Sequence, residues 1–505
     1  MRKAQRTPGR RIVTPAVVLV GLLALLIAPT WATASPSDPC AAPTNPVVCE
    51  NSKDGSPDTE WDVTAPDDEI AGFSTETSVN AGSSIAFKVK TSAPYTINIY
   101  RLGYYDGDGA RRVVTGLPVT ARSQPPCEGN GTTGLYDCGT WLVSATWAVP
   151  ADAVSGVYLA LLHRTDTGGE NHIPFVVRND ASTSELFFQT SDTTWQAYNT
   201  YGGANFYPGG NGPKGRSYKL SYNRPTPTHG NNFLFAAEYP MLRFLERNGY
   251  DVSYTSGIES DRRGDLIRRH KTFLSVGHDE YWSGAQRSNV EAARDAGVNL
   301  AFFAGNDVYW KTRYEKSIDP SATPYRTIVC YKETWDEAKT DPTSAWTGTW
   351  RDPRWTPPSD GGVPENNLIG TAYMSNFTDL SLTVPAEEGK LRLWRNTTVV
   401  SHLADGAEAV LAPHTIGYES NEDLDNGFRP AGLIRLSETT GPTPEYLRDF
   451  GSTVTPGTTT HHLTMYRAPS APRVFSAGTI QCPGGWTSTT TTPAPRPTCR
   501  CSRPR

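Results

Sequence analysis

The stretch Phe273-Leu-Ser-Val-Gly-His-Asp-Glu-Tyr-Trp282 constrains this chain more than any other. It reads as a short buried strand that stops at Gly277 and then presents His278, Asp279 and Glu280 in a row. Open α/β sheets place ligands and chemistry just past the carboxyl ends of their strands. Three ionisable side chains at such an end are costly to bury without a task. The chain around them has to supply both a sheet and a site at its end.

The flanking pattern supplies the sheet. Glu185-Leu-Phe-Phe-Gln-Thr190, Tyr250-Asp-Val-Ser-Tyr254 and Val298-Asn-Leu-Ala-Phe-Phe303 are further strand-like runs. Helical patterns separate them. In 233–248, Phe235, Met241, Leu242 and Leu245 recur at roughly helical spacing, Gly249 ends the run, and Pro240 marks a kink or a fresh start. A short helix is expected over 263–269 and a longer one over 283–296, opened by Ser283. Strands alternating with helices imply a mainly parallel α/β domain over 181–481, with Trp- and Pro-rich insertions after Tyr314.

Residues 35–180 read differently. Ser84-Ile-Ala-Phe-Lys-Val-Lys90, Tyr95-Thr-Ile-Asn-Ile-Tyr100 and Gly156-Val-Tyr-Leu-Ala-Leu-Leu162 are short strands parted by Gly, Pro, Asp and Ser clusters. That spacing predicts a β-sandwich of immunoglobulin-like type. The acidic loop Tyr104-Tyr-Asp-Gly-Asp-Gly109 reads as a hairpin turn, since it lacks the remaining ligands calcium needs.

The ends carry their own signals. Residues 1–34 have a basic start (Arg2, Lys3, Arg6, Arg10, Arg11), an apolar run from Val17 to Ile27 and Ala32-Thr-Ala34, which together form a secretory signal peptide. Arg10-Arg11 suggests the twin-arginine route, but the residues after the pair match it poorly. The apolar run is too short for a membrane span, so the expected product is secreted and extracellular. Net charge is −5, and loss of those five cations makes the mature chain more negative still. Nucleic acid and anionic membrane are therefore poor partners. In an exported chain, Cys40 with Cys49 and Cys127 with Cys138 read as local disulfides. Residues 482–505, with Cys482, Cys499 and Cys501, form a Thr-, Pro- and Arg-rich tail with no periodicity, read as disordered.

Several chemistries fail on motif grounds. There is no G-x-S-x-G elbow, and Cys330 has no nucleophile context. Gly202-Gly203 is a poor dinucleotide turn, and no P-loop occurs. His461-His462 would point to opposite sides of a strand, which does not suit zinc. A metal held by oxygen stays open. Phenolate and carboxylate are hard anionic donors that suit ferric iron. Spacing alone does not select this reading, because tyrosine at a strand end is usually packing.

The residues at these strand ends resemble the large subunit of N,N-dimethylformamidase in its C-terminal catalytic region. The likeness rests on Tyr100-Arg-Leu-Gly-Tyr-Tyr105, Gly107-Asp-Gly-Ala-Arg111, Ser155-Gly-Val-Tyr158, Trp195-Gln-Ala-Tyr-Asn199, Glu238-Tyr-Pro240, Gly277-His-Asp-Glu-Tyr-Trp282, Gly305-Asn306, Trp350-Arg-Asp-Pro353 and Ala477-Gly-Thr479. It spans roughly residues 50 to 480. The resemblance implies an α/β domain like that of class I glutamine amidotransferases, without the cysteine nucleophile. It also implies a mononuclear ferric ion, Fe(3+), held by Tyr198, Tyr239 and Glu280. His278 and Asn306 would orient ligands or substrate, and Glu419 would be the general base. The implied function is hydrolysis of a small amide C–N bond by metal-activated water. The family works with a small partner subunit, which this sequence does not show, and homo-oligomer formation stays open.

Two other readings remain at this level. One is an extracellular glycan- or peptide-binding protein with a non-catalytic α/β domain, using Trp335, Trp346, Trp350 and Trp355 as contact surface. The other is a metal-free glycan hydrolase with Glu280 and Glu419 as its carboxylate pair.

Overall fold

The computed structural model describes residues 38–481, apart from 42–44, 356–360, 398–399 and 401–402. The expected signal peptide and the tail lie outside the described residues. The described chain is β-rich, with several sheets and few helices.

In the N-terminal half, alternation builds two facing sheets. The strand Ser84–Lys90 buries Ile85, Phe87 and Val89 and exposes the residues at its ends. It lies between Ala71–Ser74 and Ala145–Ala148 in a three-stranded sheet. A five-stranded sheet opposes it, in the order Ser78–Asn80, Glu170–Arg178, Gly156–Arg164, Tyr95–Leu102 and Ala110–Leu117. Ile97, Ile99, Ala160, Leu162 and Phe175 of the second sheet share one apolar cluster with Ile85, Phe87 and Trp147 of the first. Burying each large side chain is worth about 1.5–3 kcal/mol. Cys40–Cys49 and Cys127–Cys138 are both joined as disulfides, with Cα atoms 4.7 and 4.2 Å apart.

The second half is built on a seven-stranded sheet. Its order is Val252–Ser256, Leu186–Thr190, Thr272–Gly277, Asn299–Ala304, Arg473–Ser476, Thr464–Arg467 and Ile434–Arg435. The first five are mutually parallel, Thr464–Arg467 runs antiparallel to them, and Ile434–Arg435 pairs antiparallel to Thr464–Arg467. From Leu186–Thr190 the chain moves outward to Val252–Ser256, then returns to Thr272–Gly277 and proceeds the other way. The two central strands therefore flank a switch in strand order, where α/β sheets open a crevice. Ser283 caps the helix Gly284–Asp295 with a capping box closed by Gln286. Pro240 marks a fresh start: Leu234–Ala237 ends at Glu238, and Tyr239–Arg247 begins with the proline in its first turn.

The insertions after Tyr314 are themselves structured, a point the sequence pattern did not show. One four-stranded sheet joins Lys219–Ser221, Thr327–Val329, Trp310–Glu315 and Tyr281–Ser283. Another joins Ile416–Glu422, Ala372–Leu380, Thr439–Leu447 and Val454–His461. The two halves pack on each other through one cluster that includes Tyr100, Leu102, Leu159, Phe188, Leu242, Leu245 and Leu274. At that junction Arg101 makes a bidentate pair with Glu246, at 2.8 and 2.9 Å, with both side chains fully buried.

Candidate active site

Three chain segments meet past the carboxyl ends of the central strands. Thr272–Gly277 delivers His278 and Glu280. Leu186–Thr190 runs into the helix Asp192–Tyr198, whose last residue is Tyr198. Asn299–Ala304 is followed by Gly305 and Asn306. The strand stops where it does because Gly277 takes φ +95°, and a Cβ there would press on Glu238 and Ala237 at 3.0–3.1 Å.

A second sheet supplies the fourth member. Glu419 lies in Ile416–Glu422, which docks against the strand end at Gly305. A Cβ on Gly305 would meet the Glu419 carbonyl at 2.6 Å, so only glycine permits this approach. The Asn421 side chain then accepts from the Asn306 amide at 2.9 Å and donates to Asp307 at 2.8 Å.

The geometry at the centre is a chain of polar contacts. His278 Nε2 lies 2.7 Å from Glu419 Oε2 and 3.4 Å from Glu280 Oε2. Asn306 Nδ2 donates to the same Glu419 oxygen at 2.8 Å. On its other side His278 Nδ1 faces Asn232 Oδ1 at 2.9 Å, and the Tyr418 hydroxyl donates to that same oxygen. Glu280 accepts from the Tyr198 hydroxyl at 3.1 Å and from the Tyr207 hydroxyl at 2.8 and 2.9 Å. The Tyr281 hydroxyl donates to Tyr207 at 2.8 Å. The rings of Tyr198 and Tyr207 stack with centroids 4.3 Å apart.

Burial sets the electrostatics. It pushes Tyr198 and Tyr207 well above the ordinary phenol range, and the Glu280 charge adds to this. Burial also raises Glu280, against the opposing pull of His278 and Lys332. For His278 burial acts downward, but Glu419 and then Glu280 outweigh it, so the imidazole is raised above its usual value. His278 Nε2 has no well-aligned acceptor despite its close contact with Glu419. Lys332, fully buried, is pushed down to about 7 by desolvation, opposed by Glu280.

The expected site residues divide clearly. Tyr198, Glu280, His278, Asn306 and Glu419 come together. Tyr239 does not. Its hydroxyl donates to the Gly109 carbonyl at 3.0 Å, and its ring packs edge-on against Trp61 and Phe235. The helix restart at Tyr239 turns that residue toward the sandwich, while its neighbour Glu238 faces the sheet end and accepts from Ser191 and Trp195. The second phenol beside Glu280 is Tyr207, which the sequence reading missed. It sits in the Gly- and Asn-rich stretch 202–215, where no periodicity flags it. Asp279 turns away from the group and accepts from Gln189 at 2.6 Å and Ser275 at 2.7 Å, and burial raises it to about 8.

Two rival readings lose support here. Trp346 and Trp350 are buried and Trp335 is part-buried, so of the four tryptophans only Trp355 is exposed, at 43%. Glu280 has both oxygens engaged by phenols, so it does not present a free nucleophile. Among the described residues, no group of three or more His, Cys, Asp or Glu side chains is arranged to hold a metal. A metal here would have to use phenol oxygens. The described residues also contain no helix long and apolar enough to cross a membrane.

A family model described as N,N-dimethylformamidase beta subunit-like, C-terminal, matches residues 96–492. No curated protein matches the chain. Among solved structures, a family 123 glycoside hydrolase from Clostridium perfringens is 8% identical, covering 46% of this chain and 72% of its own, with a TM-score of 0.09. A score that low carries no argument about either fold or function.

Proposed function

The chain belongs to the N,N-dimethylformamidase beta subunit-like family, and we propose that it is an iron-dependent amidohydrolase that cleaves a small amide C–N bond. The observation that carries this reading is the meeting of Tyr198 and Tyr207 on Glu280, with His278 joining Glu280 to Glu419.

The donor chemistry fits a ferric ion. Two part-buried phenols and one buried carboxylate are hard oxygen donors past a strand end, and the set of three contains no thiol or imidazole. Tyr198, Tyr207 and Glu280 would hold the metal, with Tyr207 in the place first given to Tyr239. Bound there, a ferric ion supplies Lewis acidity toward a water or an amide carbonyl.

The rest of the chemistry falls to the protein. Glu419 acts as general base. Its Oε2 accepts from Asn306 and has the poorly aligned His278 Nε2 2.7 Å away, so Oε1 is the atom assigned to accept the water proton. Asn232 Oδ1 accepts from the Nδ1–H of His278, which fixes the ring, and in the imidazolium form favoured by Glu419 and Glu280 an Nε2–H also faces the site. Because that N–H lacks an aligned acceptor, it is suited to a developing oxyanion.

Three finer readings accompany this one: an immunoglobulin-like sandwich, a class I glutamine amidotransferase-like α/β domain, and export through residues 1–34. The family's description as a beta subunit supports a partner chain for full activity.

The test is metal content, visible spectrum and amide hydrolysis of the purified mature chain, expressed with iron. Near-stoichiometric iron, a tyrosinate-to-iron band and turnover of small N-substituted amides are expected. Colourless protein without iron would overturn the metal assignment. An iron-loaded protein inert toward a broad panel of small amides would overturn the activity.

A further inference from the structure

Lys332 stands inside this site, and the chemistry above gives it no task. It follows the strand Thr327–Val329 and takes left-handed backbone angles, φ 49° and ψ 50°, which residues with a Cβ seldom adopt. Its side chain is fully buried. The ammonium lies 3.8 Å from the ring centroid of Trp310, 4.1 Å from Tyr207, 4.2 Å from Trp335 and 5.1 Å from Tyr281. Among the described residues Nζ has no hydrogen-bond partner.

That arrangement is costly for an ordinary packing lysine. A buried ammonium without hydrogen bonds loses its hydration, and aromatic faces return only part of it. A methionine would fill the same box without the loss. The main compensating attraction comes from Glu280, the carboxylate that also accepts from Tyr207. The backbone ties the parts together, since the amides of Tyr309 and Trp310 both donate to the Glu280 carbonyl at 3.0 Å. Cation and carboxylate thus meet on Tyr207, one at its ring face and the other at its hydroxyl.

We propose that Lys332 is a positioning residue of the iron site: in its protonated form it holds a positive charge against the face of Tyr207 and so sets how strongly that phenol donates to the metal. The inference rests on the iron reading above. Its consequences are electrostatic and differ in sign from those of a space-filling role. A cation over the ring lowers the energy of the ring electrons, which raises the energy of the phenolate-to-iron transition. The same charge opposes the approach of a second cation.

The experiment compares Lys332→Met, Lys332→Gln and Lys332→Arg with the wild type, each purified with iron. Thermal unfolding and circular dichroism verify that each variant folds, and the second neutral variant guards against failure of the first. In both neutral variants the charge-transfer band should move to longer wavelength, and iron should resist a chelator at least as well as in the wild type. The arginine variant, which keeps the charge, should absorb close to the wild type. Neutral variants with an unshifted band would overturn the proposal. So would iron loss shared by all three variants, which would mark Lys332 as packing alone. A wild type without iron would instead sink the metal reading itself, so the two failures are separable.

Discussion

His278 Nε2 lies 2.7 Å from Glu419 Oε2, although the two residues come from different sheets and are far apart in sequence. The first sits past the end of a central parallel strand, the second within an inserted antiparallel sheet. Under the proposed function, proton transfer falls to Glu419 at this contact. Glu419→Gln keeps the shape and the Asn306 contact but removes the base. It should lower turnover by about 10²–10⁴-fold, the usual worth of a general base, while iron content stays near that of the wild type. Parallel loss of iron in the variant would move Glu419 from base to ligand.

Tyr207 and Tyr239 offer a direct contrast. Tyr207 donates to Glu280, whereas Tyr239 donates to a backbone carbonyl of the sandwich. Tyr207→Phe should cut iron content and weaken the visible band. Tyr239→Phe should leave both unchanged and cost about 1 kcal/mol of stability, the worth of one buried hydrogen bond. Metal analysis of the two proteins side by side decides the ligand set, and iron loss in Tyr239→Phe alone would reverse the assignment.

The Arg101–Glu246 pair joins the two halves of the molecule with no exposed atom on either side chain. Tyr254 and Asn51 also donate to Glu246, at 2.8 and 2.7 Å, so three residues hold the carboxylate. Arg101→Met would leave the Glu246 charge buried with half its hydrogen bonds gone. A loss of about 3–5 kcal/mol is expected from breaking one side of such a pair, read as a lower denaturant midpoint. The double variant Arg101→Met with Glu246→Leu should recover much of that loss, because the unpaired charge is then gone.

Much of this arrangement is written in local patterns, and the exceptions have physical causes. Alternation around Phe87 and the apolar run ending at Gly277 fix strands because each buries one face or both. His278, Glu280 and Asn306 stand out because strand ends are where polar groups can be buried with purpose. Tyr207 does not stand out, since a loop tyrosine looks the same whether it packs or binds. Glu419 reaches the site only through tertiary contacts at Gly305, Asn421 and Thr479, none of which leaves a periodic trace. Tyr239 illustrates the opposite failure. A motif placed it at the site, but the helix restart gave the inward direction to Glu238 instead. Lys332 was invisible because a lysine is read as surface until its aromatic box is seen.

Acid stability should report on His461. Its Nε2–H donates to the Ala477 carbonyl at 2.9 Å, while Nδ1 is buried without a partner. Burial drives its folded pKa down to about 4, against an ordinary value of 6.5. A depressed value means the neutral ring is favoured in the folded protein, so its contribution is fully present above pH 6.5. That contribution is lost as pH falls from 6.5 through 4, where the unfolded chain takes up a proton that the folded one refuses. The difference of roughly 2.5 units corresponds to about 3 kcal/mol. His461→Gln cannot take up that proton. Denaturant unfolding from pH 7 to pH 3.5 should therefore show the wild type losing about 3 kcal/mol more than the variant, whatever their offset at pH 7. Parallel curves across that range would mean that His461 is hydrated or charged in the folded protein, contrary to its burial in this structure.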